Sequence, residues 1–477
     1  MEKNFYLTTT LPYVNADPHI GFALELVQAD IIARYRKLSG DDVFFNTGTD
    51  EHGLKIFRKA QEEGKDTQAY VNEYAAKFQG LKGKLGLFDN LHFIRTTDPH
   101  HKAAAQELWR RCLAKGDIYK KKYKGLYCIG DEAFIKETDL VNGKCPNHPT
   151  MDLIEIEEEN YFFKLSEYKD KLLAYLTQSG VIVPEWRRLE AIKFVESGLE
   201  DFSVSRVKEK MPWGVPVPDD DSQVMYVWFD ALTNYISTLG WPEDAEGNYK
   251  KYWEDGETLQ LAGKDQVRFQ SIMWQAMLMS ADLATTDKVL YHGFITSGGQ
   301  KMSKSIGNVI DPLAIVDEYG TDALRYFLAR HISPFEDSDF TMERFKDAYN
   351  ADLANGLGNL ASRVMQLAQT NLPEPVKVEF VPYPDEFKKA IETFEFSSAL
   401  EYVWGRIQTL DQLINHAEPF KVVKTDPAKG KELIEVMVRE LAFIDEMLEP
   451  ILPATSGKII EAIMANKKPE NLFPRKE

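Results

Sequence analysis

Segments typical of strands and segments typical of helices alternate along the first hundred residues of the chain. Residues 5–10 are β-prone and end before Pro12, and residues 21–38 carry apolar side chains at helical spacing. Residues 42–50 and 92–97 are predicted to form the next two strands. Because strands that alternate with helices usually pair in parallel, the sequence predicts the beginning of a doubly wound α/β fold.

The rest of the 477 residues does not keep this rhythm throughout, and length alone predicts about two to four domains. Between about Gly116 and Asp221, short strands with cysteines and histidines near turns predict an inserted domain. Residues 258–263 and 288–294 resemble buried strands, so the α/β pattern returns after the insertion. Beyond Asp311, a predicted helix N-cap, the chain is almost entirely helix-periodic.

Charge and composition exclude several classes of protein. With 57 Lys plus Arg against 75 Asp plus Glu, the formal net charge of −18 disfavours diffuse binding to nucleic acid or anionic lipid, although a local basic site stays possible. No apolar run is long enough to span a bilayer, and no basic segment precedes an apolar core at the N-terminus. Three cysteines fit a reducing compartment. We therefore expect a cytoplasmic protein without a membrane partner.

The stretch VNADPHIGFALELVQAD, residues 14–30, places His19 and Gly21 where a predicted strand has ended and a helix begins. Unpaired N–H groups and the dipole of a helix start favour phosphate, and a glycine lets a nucleotide approach the backbone. A helix start with a hydrogen-bonded histidine would explain the same residues without a ligand. This stretch alone does not decide between the two interpretations.

The stretch SGGQKMSKSIGN, residues 297–308, places two lysines in a predicted loop after a strand. Lys301 and Lys304 follow Gly298 and Gly299, which can act as hinges. Two ammonium groups on a hinged loop could hold a polyphosphate whose charge redistributes in a transition state. A solvated basic loop is the alternative, and again one stretch alone does not exclude it.

Together these two stretches resemble the paired signatures of the class I aminoacyl-tRNA synthetases. Within that class the chain resembles the methionyl-tRNA synthetase family. TTLPYVNADPHIG, NTGTDEHG, ESGLEDFSVSR, YVWFDALTNYIS and KMSKSIGNVIDP follow the order and spacing of that family along essentially the whole chain. The resemblance implies that methionine and ATP, with Mg²⁺, give methionyl-adenylate and pyrophosphate. The methionyl group would then move to the 3′ end of tRNA(Met).

The resemblance also implies an architecture. A Rossmann-type α/β catalytic domain, split by an inserted connective domain, would be followed by an all-α helical bundle that binds the anticodon. The expected segments are the catalytic halves 1–115 and 223–294, the insertion 116–222 with a zinc-knuckle-like segment 126–149, a stem-contact region 295–345 with the KMSKS loop, and an anticodon-binding domain 346–477.

The ATP site implied by the resemblance uses both signatures. His19, Gly21, Lys301 and Lys304 would hold ATP and stabilise the pentavalent α-phosphorus. Further ATP contacts would come from Gly293 and Ile295 near the adenine and from Asp265 near the ribose or the substrates.

The methionine site implied by the resemblance combines charged and aromatic residues. Asp50 would bind the ammonium group of methionine, and Arg206 its carboxylate. The residues that would line the thioether pocket are Leu11, Tyr13, Trp228, Ala231, Leu232 and Tyr235. Residues 228, 231, 232 and 235 fall on one helical stripe, and aromatic rings pack well against a polarizable sulfur. Without the resemblance, such a stripe would be interpreted as core.

Three positions depart from the family pattern. Phe22 stands where the family usually has the second histidine of its first signature, which removes one phosphate contact. Gln270 replaces a histidine of the methionine site, although an amide can still form hydrogen bonds, and Gln266 replaces an apolar residue. We expect these three departures to affect the turnover rate and the shape of the methionine pocket.

The predicted insertion contains two pairs of candidate metal ligands, Cys128-x-x-Asp131 and Cys145-x-x-His148. Ligand pairs separated by two residues on two turns are typical of small zinc knuckles. The family's one-knuckle form has a cysteine where Asp131 stands. A carboxylate can ligate Zn²⁺, so the sequence predicts either one structural Zn²⁺ or a degenerate knuckle packed without metal.

The predicted C-terminal helices contain GNLASR, which matches the anticodon-reading segment of the family and marks Asn359 and Arg363. Phe420, in NHAEPF, stands where the family has tryptophan. Single-stranded bases are recognised by stacking on aromatic rings and by polar contacts to their edges, and phenylalanine can still stack. An ordinary bundle surface is the alternative.

Two other functions compete with this interpretation. The chain could be a sibling synthetase for leucine, isoleucine, valine or cysteine, but the insertion is too short for a large editing domain, and Trp228 with Tyr13 suits a thioether better than a thiol. It could also be a catalytically silent tRNA-binding paralogue, which Phe22 favours and the intact Lys301 and Lys304 disfavour. Because no strand-rich segment follows the helical region, we expect a monomer.

Overall fold

A computed structural model describes residues 3–130, 133–135, 137–146, 148–302 and 307–476. The chain divides into two compact units. The first unit contains the residues up to Pro18, Gly40–Gly80 and Asp89–Tyr291. The second contains His19–Ser39, Leu81–Phe88 and the residues from His292 onward.

The strands among the described residues fall into one six-stranded sheet and three smaller sheets. In chain order they are β1 (Asn4–Thr8), β2 (Asp42–Thr49), β3 (Leu91–Arg95), β4 (Ile118–Cys128), β5 (Ala133–Ile135), β6 (Ile154–Phe163), β7 (Ile182–Val183), β8 (Phe202–Ser203), β9 (Ser205–Val207), β10 (Pro216–Val217), β11 (Asp220–Met225), β12 (Glu257–Gly263), β13 (Lys288–His292), β14 (Ile295–Ser297), β15 (Gln300–Lys301) and β16 (Ser338–Asp339).

The α-helices of the same residues occur throughout the chain and dominate its C-terminal part. In chain order they are α1 (Ile20–Leu38), α2 (Leu54–Glu62), α3 (Thr67–Lys84), α4 (Pro99–Ala114), α5 (Lys169–Leu176), α6 (Glu185–Glu196), α7 (Val227–Leu232), α8 (Asn234–Ser237), α9 (Trp274–Ser280), α10 (Pro312–Tyr319), α11 (Thr321–Arg330), α12 (Met342–Ala348), α13 (Asn359–Asn371), α14 (Asp385–Glu392), α15 (Phe396–Ala417), α16 (Pro419–Thr425), α17 (Pro427–Leu448) and α18 (Pro453–Met464). None of the described helices is both long and apolar enough to cross a bilayer.

The central sheet of the first unit has the strand order β3-β2-β1-β12-β13-β7. Strand β1 pairs in parallel with β2 on one side and with β12 on the other. Strands β2 and β3 therefore lie on one side of β1, and β12 and β13 lie on its other side, as in a doubly wound α/β fold. The α/β fold class predicted from the sequence is confirmed. Such sheets bind ligands at the carboxyl ends of the strands, where the strand order reverses.

An antiparallel sheet in the same unit has the order β5-β4-β6-β8, and its two long strands carry opposite charges. Lys122 of β4 lies opposite Glu159 of β6, and Lys124 lies opposite Glu157. Opposite charges on facing strands attract each other. A shift by one residue would exchange the two faces of the strand, so this pattern favours a single register.

In the second unit a buried ion pair ties α1 to the C-terminal helices. Arg325 of α11 is fully buried, and its Nη2 lies 2.7 Å from Oδ2 of Asp30 on α1. The same guanidinium donates to the backbone oxygen of Ile451 at 2.8 Å and to that of Leu85 at 3.2 Å. Because a buried charge pair is stable only when its remaining donors are also satisfied, this network fixes the position of α1 within the unit.

Asp445 on α17 is a second buried acid of this unit. Its side chain accepts a hydrogen bond from Ser456 Oγ at 3.1 Å, and its Oδ1 has no hydrogen-bond partner among the described residues. Burial raises the pKa of Asp445 from 3.8 to about 8, opposed by the Ser456 hydrogen bond and assisted by the carboxylates of Glu449 and Glu446. The folded chain therefore holds this carboxyl group protonated at neutral pH.

The raised pKa predicts a stability that depends on pH. Since the folded state binds the proton more tightly than the unfolded chain, the stability conferred by the protonated carboxyl is complete below the unfolded pKa and is lost as the pH rises through about 8. Asp445→Asn, a neutral mimic, should therefore raise the unfolding temperature, and by more at about pH 8.5 than at about pH 5.5. Asp426→Asn, which can keep the N-cap bond to the Lys429 N–H, should show no such trend. An equal effect of Asp445→Asn at both pH values would contradict the prediction.

Candidate active site

The predicted methionine and ribose residues of the first unit follow the carboxyl ends of neighbouring central strands. Leu11 and Tyr13 follow β1, Asp50 follows β2, and Asp265 lies in the short 3₁₀ turn after β12. Asp265 is exposed and accepts a hydrogen bond from Gln266 Nε2 at 3.0 Å. These side chains begin where the order of the strands reverses, which is the usual ligand position in this fold.

Asp50 is bound to the segment after β1 through its backbone. Asp50 N donates to Pro12 O at 3.0 Å, and Val14 N donates to Asp50 O at 3.3 Å, so an isolated parallel bridge joins Tyr13 to Asp50. The residue is only 2% exposed. A carboxylate in this protected position interacts strongly with a ligand cation, because little water screens it.

The next residue, Glu51, anchors the turn that carries Asp50. Arg95 of β3 donates to its two carboxylate oxygens at 2.6 and 2.8 Å. The hydroxyl groups of Thr49 and Thr97 also donate to this carboxylate. A two-pronged arginine pair fixes geometry as well as charge, so Asp50 is held by its neighbour. Sequence reasoning missed Glu51, because its partner Arg95 is 44 residues away.

Three aromatic rings form one wall of the predicted thioether pocket. The rings of Tyr13 and Trp228 meet edge to face at 6.3 Å and 81°. Phe269 stacks on Trp228 with centroids 3.9 Å apart and 16° between the planes. Such a wall suits a thioether, since sulfur packs favourably near aromatic rings.

Phe269 was not predicted from the sequence. It lies in a π-helical turn, Phe269–Met273, which the 3.6-residue spacing of an α-helix does not reveal. The adjacent Gln270 comes from the same turn, is 1% exposed, and donates through Nε2 to the hydroxyl group of Tyr235. The amide of Gln270 therefore forms a hydrogen bond inside the protein, while its role toward methionine stays a prediction.

The predicted helical stripe of the pocket is divided between two short helices. Trp228, Ala231 and Leu232 lie on α7, and Tyr235 lies on α8, with Thr233 between them. Ala231, Leu232 and Tyr235 are all buried. Helices of six and four residues have few internal hydrogen bonds, so packing must fix their orientation.

Arg206 lies in β9 of the same unit and is buried. Its Nη1 donates to Ser203 Oγ at 2.8 Å and to the backbone oxygen of Ser205 at 2.7 Å. The guanidinium lies over the ring of Tyr226, 4.4 Å from the centroid, and Tyr226 immediately precedes α7. The predicted carboxylate-binding arginine is thus held next to the start of the helix that carries Trp228.

The predicted phosphate-binding residues belong to the second unit. His19 is the N-cap of α1, and its Nδ1 accepts a hydrogen bond from Gly21 N at 3.1 Å. A methyl group built on Gly21 would lie 3.0 Å from His19 Cε1 and 3.9 Å from Met302 Cε. The methionine of KMSKS therefore packs beside the glycine of the first signature. The first N–H groups of α1 are already hydrogen-bonded: Ile20 N donates to Ile310 O at 3.1 Å, and Phe22 N donates to His19 O at 3.0 Å.

The KMSKS stretch begins in a tight hairpin. Thr296 of β14 pairs with Lys301 of β15, and Gly298 and Gly299 form the turn with φ of 61° and 72°. Positive φ at both central positions is typical of a type I′ turn and favours glycine. The side chain of Lys301, and Lys304 as a whole, lie outside the part of the chain that the structure describes.

Gly293 and Ile295, the predicted adenine contacts, lie next to the segment before β16. A Cβ atom on Gly293 would overlap the backbone of Glu336, so only glycine fits at this position. Ile295 is 4% exposed and pairs in parallel with Ser338.

The predicted anticodon residues lie on two helices of the second unit. Asn359 and Arg363 are one turn apart on α13, and Phe420 lies in the first turn of α16 with 45% of its surface exposed. Arg363 pairs with Asp411 and donates to Asn415 Oδ1 at 2.8 Å. An exposed phenylalanine ring is available for stacking.

Cys128, Cys145 and His148 form the candidate metal cluster. The distances from His148 Nδ1 to the Sγ atoms of Cys128 and Cys145 are 3.8 and 3.9 Å, and the candidate ligand atoms all lie within 4.8 Å of one another. Tetrahedral zinc with ordinary bond lengths separates its ligand atoms by about 3.5–3.8 Å. The three residues therefore fit a zinc ion, while Asp131 lies outside the described residues.

The chain is similar to known proteins over nearly its whole length. The family model "tRNA synthetases class I (M)" matches residues 5–152 and 149–365. A methionine–tRNA ligase of Thermotoga maritima is 40% identical over 484 residues, covering 98% of this chain and 76% of that protein. One of Mesorhizobium japonicum is 37% identical over 511 residues, covering 99% of this chain and 98% of that protein.

A solved structure is similar along the whole chain. Mycobacterium tuberculosis methionyl-tRNA synthetase in complex with methionyl-adenylate matches with a TM-score of 0.90 and 35% sequence identity, covering 99% of this chain and 100% of that one.

Proposed function

The chain belongs to the tRNA synthetases class I (M) family, and from this membership we propose that it is a methionine–tRNA ligase. It activates methionine with ATP and transfers the methionyl group to the 3′ end of tRNA(Met). The observation that carries this proposal is the contact of Tyr13 with both Asp50 and Trp228 after β1, which joins a protected carboxylate to an aromatic wall. A binding site for methionine needs both features, because its ammonium group is charged and its side chain is apolar.

We propose the following roles in the first step. Asp50 binds the ammonium group of methionine, and Arg206 binds and orients the carboxylate. One carboxylate oxygen attacks the α-phosphorus of ATP, a new O–P bond forms, and the bond from the α-phosphorus to the bridging oxygen breaks as pyrophosphate leaves. Lys301 and Lys304 neutralise the charge that develops on pyrophosphate. Mg²⁺ would accompany the ATP and spread the charge of its phosphates.

His19 and Gly21 are proposed to hold the phosphates at the start of α1. The His19 ring already accepts the Gly21 N–H, so the cap must open or share this donor when phosphate binds. Gly293, Ile295 and Asp265 complete the proposed nucleotide site. In the second step the terminal ribose hydroxyl group of tRNA attacks the activated carbonyl carbon, and AMP leaves.

We also propose an assignment of domains along the chain. The catalytic halves are 1–115 and 223–294, the connective insertion is 116–222, the stem-contact region is 295–345, and the anticodon-binding domain is 346–477. The antiparallel β5-β4-β6-β8 sheet supports the insertion, and the α13–α18 series supports an all-α anticodon domain.

We further propose that Cys128, Cys145 and His148 hold one structural Zn²⁺, with Asp131 as the fourth ligand. A closed four-ligand site supplies folding energy and no catalysis. The ligand distances to His148 support this reading.

Metal analysis tests the zinc proposal. Protein purified without chelator should contain about one equivalent of zinc, and Cys145→Ser should lose most of it, because a hydroxyl group is a poor substitute for a thiolate. Cys112 is buried against the Met277 backbone oxygen, outside the cluster, so Cys112→Ser is the matched control and should keep its metal. Metal-free wild type with full activity would establish the degenerate knuckle instead.

Aminoacylation of tRNA(Met) tests the proposed second step. Phe420→Ala should raise the KM for tRNA by about tenfold, since stacking of one base on an aromatic ring contributes about 1–3 kcal/mol. Arg363→Ala should also raise the KM for tRNA by about tenfold. Neither variant should change the rate of ATP–pyrophosphate exchange, because that reaction uses no tRNA. Trp186→Ala removes another exposed ring, on α6, and should change neither reaction. Unchanged charging by both variants would overturn the anticodon assignment.

A monomer in the cytoplasm is proposed as well. Among the residues that the structure describes, the exposed large apolar side chains lie on many different elements, from Leu38 to Met464. Light scattering at micromolar concentration should give the mass of one chain, and a stable dimer would contradict this.

A further inference from the structure

The helix that carries Trp228 also carries a buried carboxylate, which lies between two imidazole rings. Asp230 of α7 is fully buried, and its Oδ2 lies 3.1 Å from Nδ1 of His52. Its Oδ1 lies 3.9 Å from Nε2 of His101 on α4. His101 Nδ1 in turn lies 2.9 Å from Ser237 Oγ on α8. Neither histidine is more than 2% exposed.

The charge of this cluster can be inferred from its surroundings. Burial alone would raise the pKa of Asp230, but the two imidazole rings beside it, His52 first and then His101, favour the charged form and lower the pKa below its usual value. The carboxylate is therefore ionised. An ionised group without partners would cost several kcal/mol at this depth, so the two rings are what stabilise it.

The cluster connects two parts of the predicted methionine site. His52 lies two residues after Asp50, on the turn that Glu51 anchors. Asp230 lies on the six-residue helix that also carries Trp228. Because that helix is too short to orient itself, its contact with His52 helps to hold the aromatic wall relative to the turn that carries Asp50.

We propose that Asp230 is a positioning residue for methionine: its contacts with His52 and His101 hold the Trp228 wall in register with Asp50 and thereby set the KM for methionine. This inference rests on the function proposed above. Asp230 is neither one of the proposed methionine contacts nor one of the proposed ATP contacts. We therefore expect its loss to affect methionine rather than ATP.

Asp230→Asn keeps the size of the side chain and removes its charge. In ATP–pyrophosphate exchange, the variant should raise the KM for methionine by about 10- to 100-fold, because a displacement of about 1 Å in a binding wall has effects of this size. The KM for ATP should stay within about twofold of wild type, and kcat at saturating methionine should fall less than the KM rises. A merely structural role would not separate these three quantities.

A double-mutant cycle identifies the partner. If Asp230 acts through His52, then His52→Gln alone should raise the methionine KM, and adding it to Asp230→Asn should change the KM no further than about twofold. His101→Gln should have the smaller effect of the two single variants, because its ring is farther from the carboxylate. Asp117→Asn is the matched control: this carboxylate accepts a hydrogen bond from Ser280 Oγ at 2.8 Å, and its loss should leave the methionine KM unchanged.

ATP–pyrophosphate exchange by the wild-type protein with methionine is measured first. If the wild type shows no exchange, the proposed function is refuted, and not this inference. Given an active wild type, a methionine KM within twofold of wild type in folded Asp230→Asn overturns the inference, as does an equal rise in the KM for ATP. If Asp230→Asn does not fold, the KM for methionine is measured in His52→Gln instead. An unchanged methionine KM in that variant also overturns the inference.

Discussion

Asp50→Asn is expected to raise the KM for methionine by about 10²- to 10³-fold, the largest effect on substrate affinity that we predict for any single change. Asp50 is buried directly after β2, so in the proposed site its carboxylate would meet the ammonium group of methionine with little screening by water. Loss of one partner of a buried, hydrogen-bonded charge pair costs about 2–5 kcal/mol, and a tenfold change in affinity corresponds to about 1.4 kcal/mol. The KM for ATP should change little, because the nucleotide does not use this group.

The control for this variant lies on the same strand. Asp42 begins β2, at the opposite end from Asp50, where it pairs with Lys251 and accepts a hydrogen bond from Tyr252 at 3.0 Å. Asp42→Asn should therefore leave the methionine KM unchanged. Methionine binding followed by tryptophan fluorescence gives the affinity directly, and a wild-type affinity in Asp50→Asn would remove this residue from the site.

Lys304→Ala is expected to slow the formation of methionyl-adenylate by about 10²- to 10³-fold, or about 3–4 kcal/mol, by analogy with the loss of one oxyanion donor. Negative charge moves onto the departing pyrophosphate as the α-phosphorus is attacked, and a lysine on a hinged loop can approach that charge as it develops. An interaction made mainly in the transition state lowers kcat and leaves methionine affinity nearly intact. Since Phe22 replaces a second histidine, fewer groups share this charge, and we expect the upper end of the range.

Pre-steady-state measurement of adenylate formation separates these two effects. Lys84 also lies in the second unit, and its exposed ion pair with Asp317 at 2.8 Å makes Lys84→Ala the matched loss of charge. That variant should form adenylate at the wild-type rate, because an exposed pair contributes little. If Lys304→Ala forms adenylate at the wild-type rate but binds methionine poorly, the lysines of KMSKS are not the phosphate clamp.

Local sequence patterns predicted many of the helices and strands. The apolar spacing of residues 21–38 predicted a helix, and α1 spans Ile20–Leu38. Residues 258–263 predicted a buried strand, and β12 spans Glu257–Gly263. These predictions succeeded because periodicity and turn residues act within a few positions of one another. The predicted helical stripe of the pocket was less regular than expected, because the helix is interrupted at Thr233, between α7 and α8.

Contacts between distant residues could not be predicted in the same way. Glu51 and Arg95 are joined across adjacent strands, and Asp230 meets His52 across 178 positions of the sequence. Such pairs follow from tertiary packing, which leaves no periodic signal. Phe269 was missed for a different reason, because a π-helical turn changes the direction of its side chain relative to regular helical spacing.

The most direct test of the proposed function is ATP–pyrophosphate exchange measured separately with each of the twenty proteinogenic amino acids. Methionine should support exchange far above leucine and isoleucine, because the proposed wall of Tyr13, Trp228 and Phe269 would discriminate by shape and by contact with sulfur. A larger response to any other amino acid would contradict the assignment to methionine. No response to any of the twenty would identify a silent tRNA-binding paralogue instead of an enzyme.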